Sequence, residues 1–268
     1  MRKIVLLALS LAISFAAYRC DFNHGIEPLP GKLKARVIYR GDAPSNTHGI
    51  YLVVAPEFPP HAINESYHSP NSLPFDEDTI YTEMDLPYGH YESYALWWYS
   101  TDTKSNLADI LAMPIDPFNN LLPASFDITA EKPIVEKTMY ANFSRMNRPS
   151  AIKGTIRFSG PFPPNTLATA VVAFKIKPVE AIHFLLYLKA IDFSIETNPY
   201  EFNLPVQTGR TEYIAVFWLP ERSPLTDFQT VGVYMDPNDP SRIGTLNLKD
   251  GETANNIDIY VDWSKLKK

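Results

Sequence analysis

The sequence predicts an all-β fold: two tandem, seven-stranded, Greek-key-type β-sandwiches. Three observations lead there. Apolar and polar residues alternate over short runs, the period of a half-buried strand. Prolines number 24 against 11 glycines, a balance that suits short strands with rigid turns better than long helices or phosphate-cradling loops. The sequence also repeats itself at a shift of 118 to 120 residues, as expected of two copies of one unit.

Residues 1–19 read as a secretory signal peptide. Arg2 and Lys3 form a positive start, and Ile4 to Ala17 is an apolar run too short to span a membrane comfortably. Cys20, the chain's one cysteine, follows directly. A lone thiol makes no internal disulfide. Its position resembles the lipid-acceptor cysteine of bacterial lipoproteins, which implies attachment to a membrane through an N-terminal lipid. The run before it, Ala17-Tyr18-Arg19, departs from that family's box at Arg19, so plain cleavage near Ala17 is the competing reading. Residues 20–30 are then a tether.

The first sandwich is expected over residues 31–147 and the second over 148–268. In 33–40 the odd positions are apolar and most even ones basic, and Ile152, Ile156 and Phe158 repeat the pattern. Lys34 to Gly41 lies over Lys153 to Gly160, and Tyr51 to Ala55 over Ala170 to Phe174. Ala95-Leu96-Trp97-Trp98 lies over Ala215-Val216-Phe217-Trp218, and Asp116-Pro117 over Asp236-Pro237. Ile257, Ile259 and Val261 form a last strand with one wet face. Proline and Asn/Asp/Gly clusters such as 116–120 and 236–240 separate the runs as turns. The copies differ most where residues 57–78 are polar but the counterpart, 176–196, is strongly apolar. That apolar run is expected to add a strand. It either seals the seam between the sandwiches or meets another protein.

The order of segments in both copies resembles the carboxypeptidase-regulatory-like, or transthyretin-like, sandwich of bacterial envelope proteins. In copy two these segments are Gly154 to Gly160, Tyr200 to Pro205 and Tyr213 to Trp218, followed by the closing strand at Ile257. The resemblance covers about residues 30 to 265. It implies an exported, non-catalytic envelope module with a structural, adhesive or ligand-presenting role, carbohydrate binding being the alternative. The outer membrane is its expected address. The family's calcium-holding loop is stripped of paired carboxylates in 99–106 and 219–224, so no metal and no cofactor are expected.

Composition excludes one class of partner. Twenty-four basic residues against 30 acidic ones leave a net charge of -6, the wrong sign for nucleic acid. The expected partners are a membrane through Cys20, a polysaccharide or another envelope protein. Trp97 and Tyr99, on one side of a strand, are the ligand-binding candidates, because sugars stack on such rings. Trp98 aligns with Trp218 and is expected in the core. His61 and His68 share a proline-rich loop and read as solvated. No nucleophile elbow, zinc-binding helix motif, phosphate-binding loop or dinucleotide fingerprint occurs, so no catalytic residue is named.

Overall fold

A computed structural model describes residues 29–59, 65–101, 106–221 and 228–266 of the chain. The signal segment, Cys20 and His61 lie outside the described residues.

Strands dominate the described chain, and helix is scarce. The first half contributes β1 (Gly31–Arg40), β2 (Thr47–Ala55), β3 (Tyr67–His68), β4 (Thr79–Leu86), β5 (Gly89–Tyr91), β6 (Ser93–Ser100), β7 (Ile110–Ala112), β8 (Phe126–Ile128) and β9 (Ile134–Asn142). Two sheets, ordered β4-β1-β9 and β3-β2-β6-β7, hold seven of them, and β5 pairs with β8. Alternation sets which side is buried. Leu33, Ala35, Val37 and Tyr39 of β1 meet Ile50, Leu52 and Val54 of β2 and Leu96 and Trp98 of β6 in one core.

The second half repeats the plan. Its strands are β10 (Ser150–Ser159), β11 (Thr166–Phe174), β12 (Leu188–Asp192), β13 (Tyr200–Val206), β14 (Gly209–Thr211), β15 (Tyr213–Pro220), β16 (Gln229–Val233), β17 (Met235–Asp236), β18 (Asp239–Ile243), β19 (Leu246–Leu248), β20 (Thr253–Ala254) and β21 (Ile259–Asp262). One sheet is β13-β10 closed by β20 and β21, and the other is β12-β11-β15-β16. In both halves the first strand pairs parallel with the last, β1 with β9 and β10 with β20 and β21.

The duplication reaches individual bonds. Trp98 Nε1 donates to Thr47 Oγ1 at 2.9 Å, and Trp218 Nε1 donates to Thr166 Oγ1 at 2.8 Å. Asn142 and Asp262 cap the 3₁₀ turns Phe143–Arg145 and Trp263–Lys265, accepting from Ser144 N and Ser264 N. The rings that open those turns stack equivalently: Tyr39 on Phe143 and Phe158 on Trp263, each with centroids 5.2 Å apart.

Two departures from the repeat have local causes. Gly154 of β10 stands where β1 has Ala35. The backbone at Ile257 approaches Gly154 so closely that an added Cβ would overlap the Ile257 carbonyl. The last strand is accordingly split into β20 and β21, with Asn256 at φ 61° between them. Gly154→Ala is expected to lower stability by about 2–3 kcal/mol through overpacking, read as a lower urea midpoint with an unchanged slope.

The second departure corrects an expectation. The apolar run after Glu180 does not add a strand throughout: it forms α1 (Ala181–Tyr187) and only then β12. Leu185 and Leu186, late in this run behind Pro178, suit a helix, and the β-branched Ile191 falls in the strand, although Ile182 lies in the helix. Through this packing the sheet of β11 and β15 is covered on both faces. Its outer side, with Ala170, Val172, Phe174 and Phe217, forms a further apolar cluster with Leu188, Ile191 and Ala108 of the first half. Residues of both faces are therefore apolar, as in other doubly covered sheets.

Candidate functional site

The halves meet at a polar joint beside an apolar cleft. The joint centres on Asp109, which ends the 3₁₀ turn Leu107–Asp109 and is 1% exposed. Arg148 Nη1 donates to Asp109 Oδ1 at 2.9 Å, and Nη2 donates to the Ala108 carbonyl at 2.7 Å. The Asn106 N–H donates to Asp109 Oδ2 at 2.8 Å. The guanidinium also lies over the Trp98 ring, 5.8 Å from its centroid. Burial raises the Asp109 carboxyl above its ordinary range, and Arg148 with the Asn106 N–H pulls it partly back. Arg145 Nη2 donates to the Leu185 carbonyl of α1 at 3.3 Å, and Leu188 and Ile191 of the same apolar run pack with Ala108 of the first half.

The cleft has a volume of about 530 Å³. Val53, Ala95 and Trp97 from the outer face of β2 and β6 line one side, and Phe184 of α1, Phe217 and Phe228 line the other. Phe184, Phe217 and Phe228 pack together, with centroids 5.8 to 6.0 Å apart. Size, aromatic walls and a place between two folded units are those of a small-molecule pocket. Glu180 is the one carboxylate among the described lining residues, so the walls suit binding and offer no carboxylate pair for acid–base work.

The sequence candidates fall in different places. Trp97 is half-buried and lines the cleft. Tyr99, two residues on, is 41% exposed and meets the edge of His48 at 5.3 Å; it is not among the cleft's lining residues. Trp98 is 2% exposed and belongs to the core. His68 lies exposed in β3. Among the described residues, no group of three or more His, Cys, Asp or Glu side chains is placed to hold a metal ion. No described helix is long and apolar enough to cross a membrane.

Sequence reading missed two features. Tyr81 and Tyr140 are 78% and 63% exposed on the outer face of the β4-β1-β9 sheet. The signal was present: each follows a core residue, Ile80 or Met139, and so holds the polar phase of its strand. The other is Lys189 in β12, only 5% exposed. Its Nζ donates to Thr211 Oγ1 at 3.0 Å and to the Thr208, Gly209 and Arg210 carbonyls at 3.3 to 3.5 Å. Burial, with Lys175 nearby, brings the Lys189 ammonium down to about 8.

The unfolded chain holds the Lys189 proton to about pH 10.4, so between pH 8 and 10 it binds more protons than the folded chain. Stability then rises with pH. An increase of about 2 kcal/mol from pH 8 to 10 is expected, and Lys189→Met should abolish the slope. Above pH 10 the buried tyrosines reverse the trend, since burial pushes Tyr91 and Tyr94 to about 12. Denaturant melts at stepped pH measure both limbs.

No protein-family model matches the chain, and no curated protein matches it. Solved structures offer distant likenesses. One is a leucine-rich repeat protein from Bacteroides thetaiotaomicron, at 10% identity and a TM-score of 0.30, over 87% of this chain and 26% of that one. Another is a candidate adhesin from Bacteroides ovatus, at 10% identity and a TM-score of 0.28, over 90% and 95%. A third is the major pilin from Streptococcus pyogenes, at 12% identity and a TM-score of 0.19, over 87% and 96%. The chain spans about a quarter to three fifths of the length of the first three structures it matches.

Proposed function

We propose that the chain is an exported, non-catalytic module of the bacterial cell envelope, with an adhesive or structural role, held at the membrane by a lipid on Cys20. The observation that carries this reading is the joint. Two copies of one sandwich are fastened by the buried Asp109–Arg148 pair and by a shared apolar cluster. Such a fastening sets the two units at a fixed angle, which suits a spacer or a presenting arm. The basic-then-apolar start of the sequence and the isolated Cys20 support export and anchoring.

The test is made in a Gram-negative host expressing the full chain. Wild type is expected to incorporate labelled palmitate and to sediment with the outer-membrane fraction. Cys20→Ser is expected to be exported, unlabelled and soluble, with an unchanged melting temperature, since one thiol staples nothing. A wild-type chain that remains unlabelled and is cleaved near Ala17 removes the anchor. One retained in the cytoplasm removes the whole reading.

Carbohydrate binding is the second reading. The exposed tyrosines of β4 and β9 favour it at a place other than Trp97 and Tyr99.

A further inference from the structure

The outer face of the β4-β1-β9 sheet divides into two unlike ends. Pairing places Lys32 beside Asp85 and Ile134, and Lys34 beside Glu83 and Glu136. This end is charge-balanced: Lys32 Nζ lies 2.8 Å from Glu83 and 3.3 Å from Asp85, and Lys34 Nζ lies 3.3 Å from Glu83. None of the strand-paired residues at the other end is a carboxylate, although the exposed run Asp76-Glu77-Asp78 leads into β4 beside it. Arg36 stands between Tyr81 and Thr138, Ile38 between Thr79 and Tyr140, and Arg40 beside Asn142. Arg36 and Arg40 are exposed and have no ion pair among the described residues. The Arg40 guanidinium stands over the Tyr140 ring, 6.0 Å from its centroid.

We propose that this end of the sheet binds an anionic polysaccharide, a chain bearing uronic-acid carboxylates. Tyr81 and Tyr140 supply ring faces for the sugar C–H surfaces, and Arg36 and Arg40 supply forked donors for the carboxylates. Strand spacing and the two-residue offset hold the tyrosines about 12 Å apart, so a linear polymer can meet both at once. The rigid strands hold these side chains in place before the ligand arrives, which lowers the ordering cost of binding.

Charge decides between ligand classes. Two unpaired guanidinium groups on a chain of net charge -6 are too few for a nucleic acid, whose affinity grows with the number of phosphates neutralised. A protein partner wants an apolar centre, and the half-buried Ile38 is the one aliphatic side chain at this end. A neutral glycan would leave both arginines unused.

The second half shows which part of the pattern is kept. Tyr260, in the position of Tyr140, is 73% exposed and pairs with Arg157. Glu201, however, stands where Tyr81 does. That copy has one ring and an added carboxylate, so the site is assigned to the first half. The assignment gives the adhesive reading a ligand class and rests on that reading only for its biological meaning. Binding by purified protein fails or succeeds independently of export.

Affinity electrophoresis in native gels tests it, with polygalacturonate, dextran or polyglutamate cast in the gel. Wild type is expected to be retarded by polygalacturonate alone. Tyr81→Ala with Tyr140→Ala, and separately Arg36→Gln with Arg40→Gln, should weaken binding about tenfold or more. Melting temperatures should stay within about 2 °C of wild type, since all four side chains point to solvent. Lys34→Gln and Tyr260→Ala should leave retardation unchanged. Equal retardation by dextran overturns the anionic specificity, and equal retardation by polyglutamate overturns the sugar. No retardation, or loss of it in the Lys34 or Tyr260 variant, overturns the site.

Discussion

Asp109→Ala is expected to lower the unfolding free energy by about 3–5 kcal/mol, because it strands the Arg148 guanidinium in a buried place. Asp109 is 1% exposed, and the Arg148 side chain is 10% exposed. The loss should also separate the halves, so that thermal unfolding splits into two transitions where wild type shows one. Calorimetry reads both effects. The double variant Asp109→Leu with Arg148→Met should regain part of the loss, since a matched apolar pair removes the stranded charge. If Asp109→Ala costs under about 1 kcal/mol, the pair is solvated and contributes no more than a surface bridge.

Trp98→Ala and Trp218→Ala should each cost about 3–5 kcal/mol, the range for emptying a buried aromatic site. The informative result is their similarity. Both rings fill the same place in their sandwich, 2% and 4% exposed, with the same indole-to-threonine bond. Trp98 differs in lying under Arg148. Its removal should therefore also weaken the joint, and Asp109→Ala in that background should cost less than in wild type. Urea melts of the two single variants and the double variant measure the coupling.

The sandwich architecture was legible because each strand keeps one face apolar, and because two diverged copies keep the same face. Leu33, Val37 and Tyr39 in β1 and Ile152, Ile156 and Phe158 in β10 all reach the core. The joint was not legible. Asp109 and Arg148 lie 39 positions apart, and neither carries a local signal of pairing. The segment that became α1 was ambiguous for a different reason. Both faces of the run 182–188 are apolar, so period alone does not separate helix from strand; in the helix that forms, Phe184 packs against Phe217 and Phe228. At the candidate sites, Trp97 and Tyr99 drew attention as a cluster. The better-exposed rings, Tyr81 and Tyr140, stand singly in their strands and become neighbours of one arginine-bearing strand only when β1 pairs with both β4 and β9.

The parallel pairing of first and last strands sets how each half would carry a pull. Because β1 and β9 run the same way, the chain enters the first sandwich at one pole and leaves it at the other. Tension applied along the chain drags these strands past each other lengthwise, and their hydrogen bonds must break together and not one after another. In the first half that clamp runs unbroken from Lys32 beside Ile134 to Arg40 beside Asn142. In the second the ladder is broken between Ile152 and Ile156, where the Ile257 backbone crowds Gly154 and one bond, from the Ile257 N–H to the Lys153 carbonyl, spans the gap. Under load the second half is therefore the one to yield first, lengthening the molecule while the first half holds its shape.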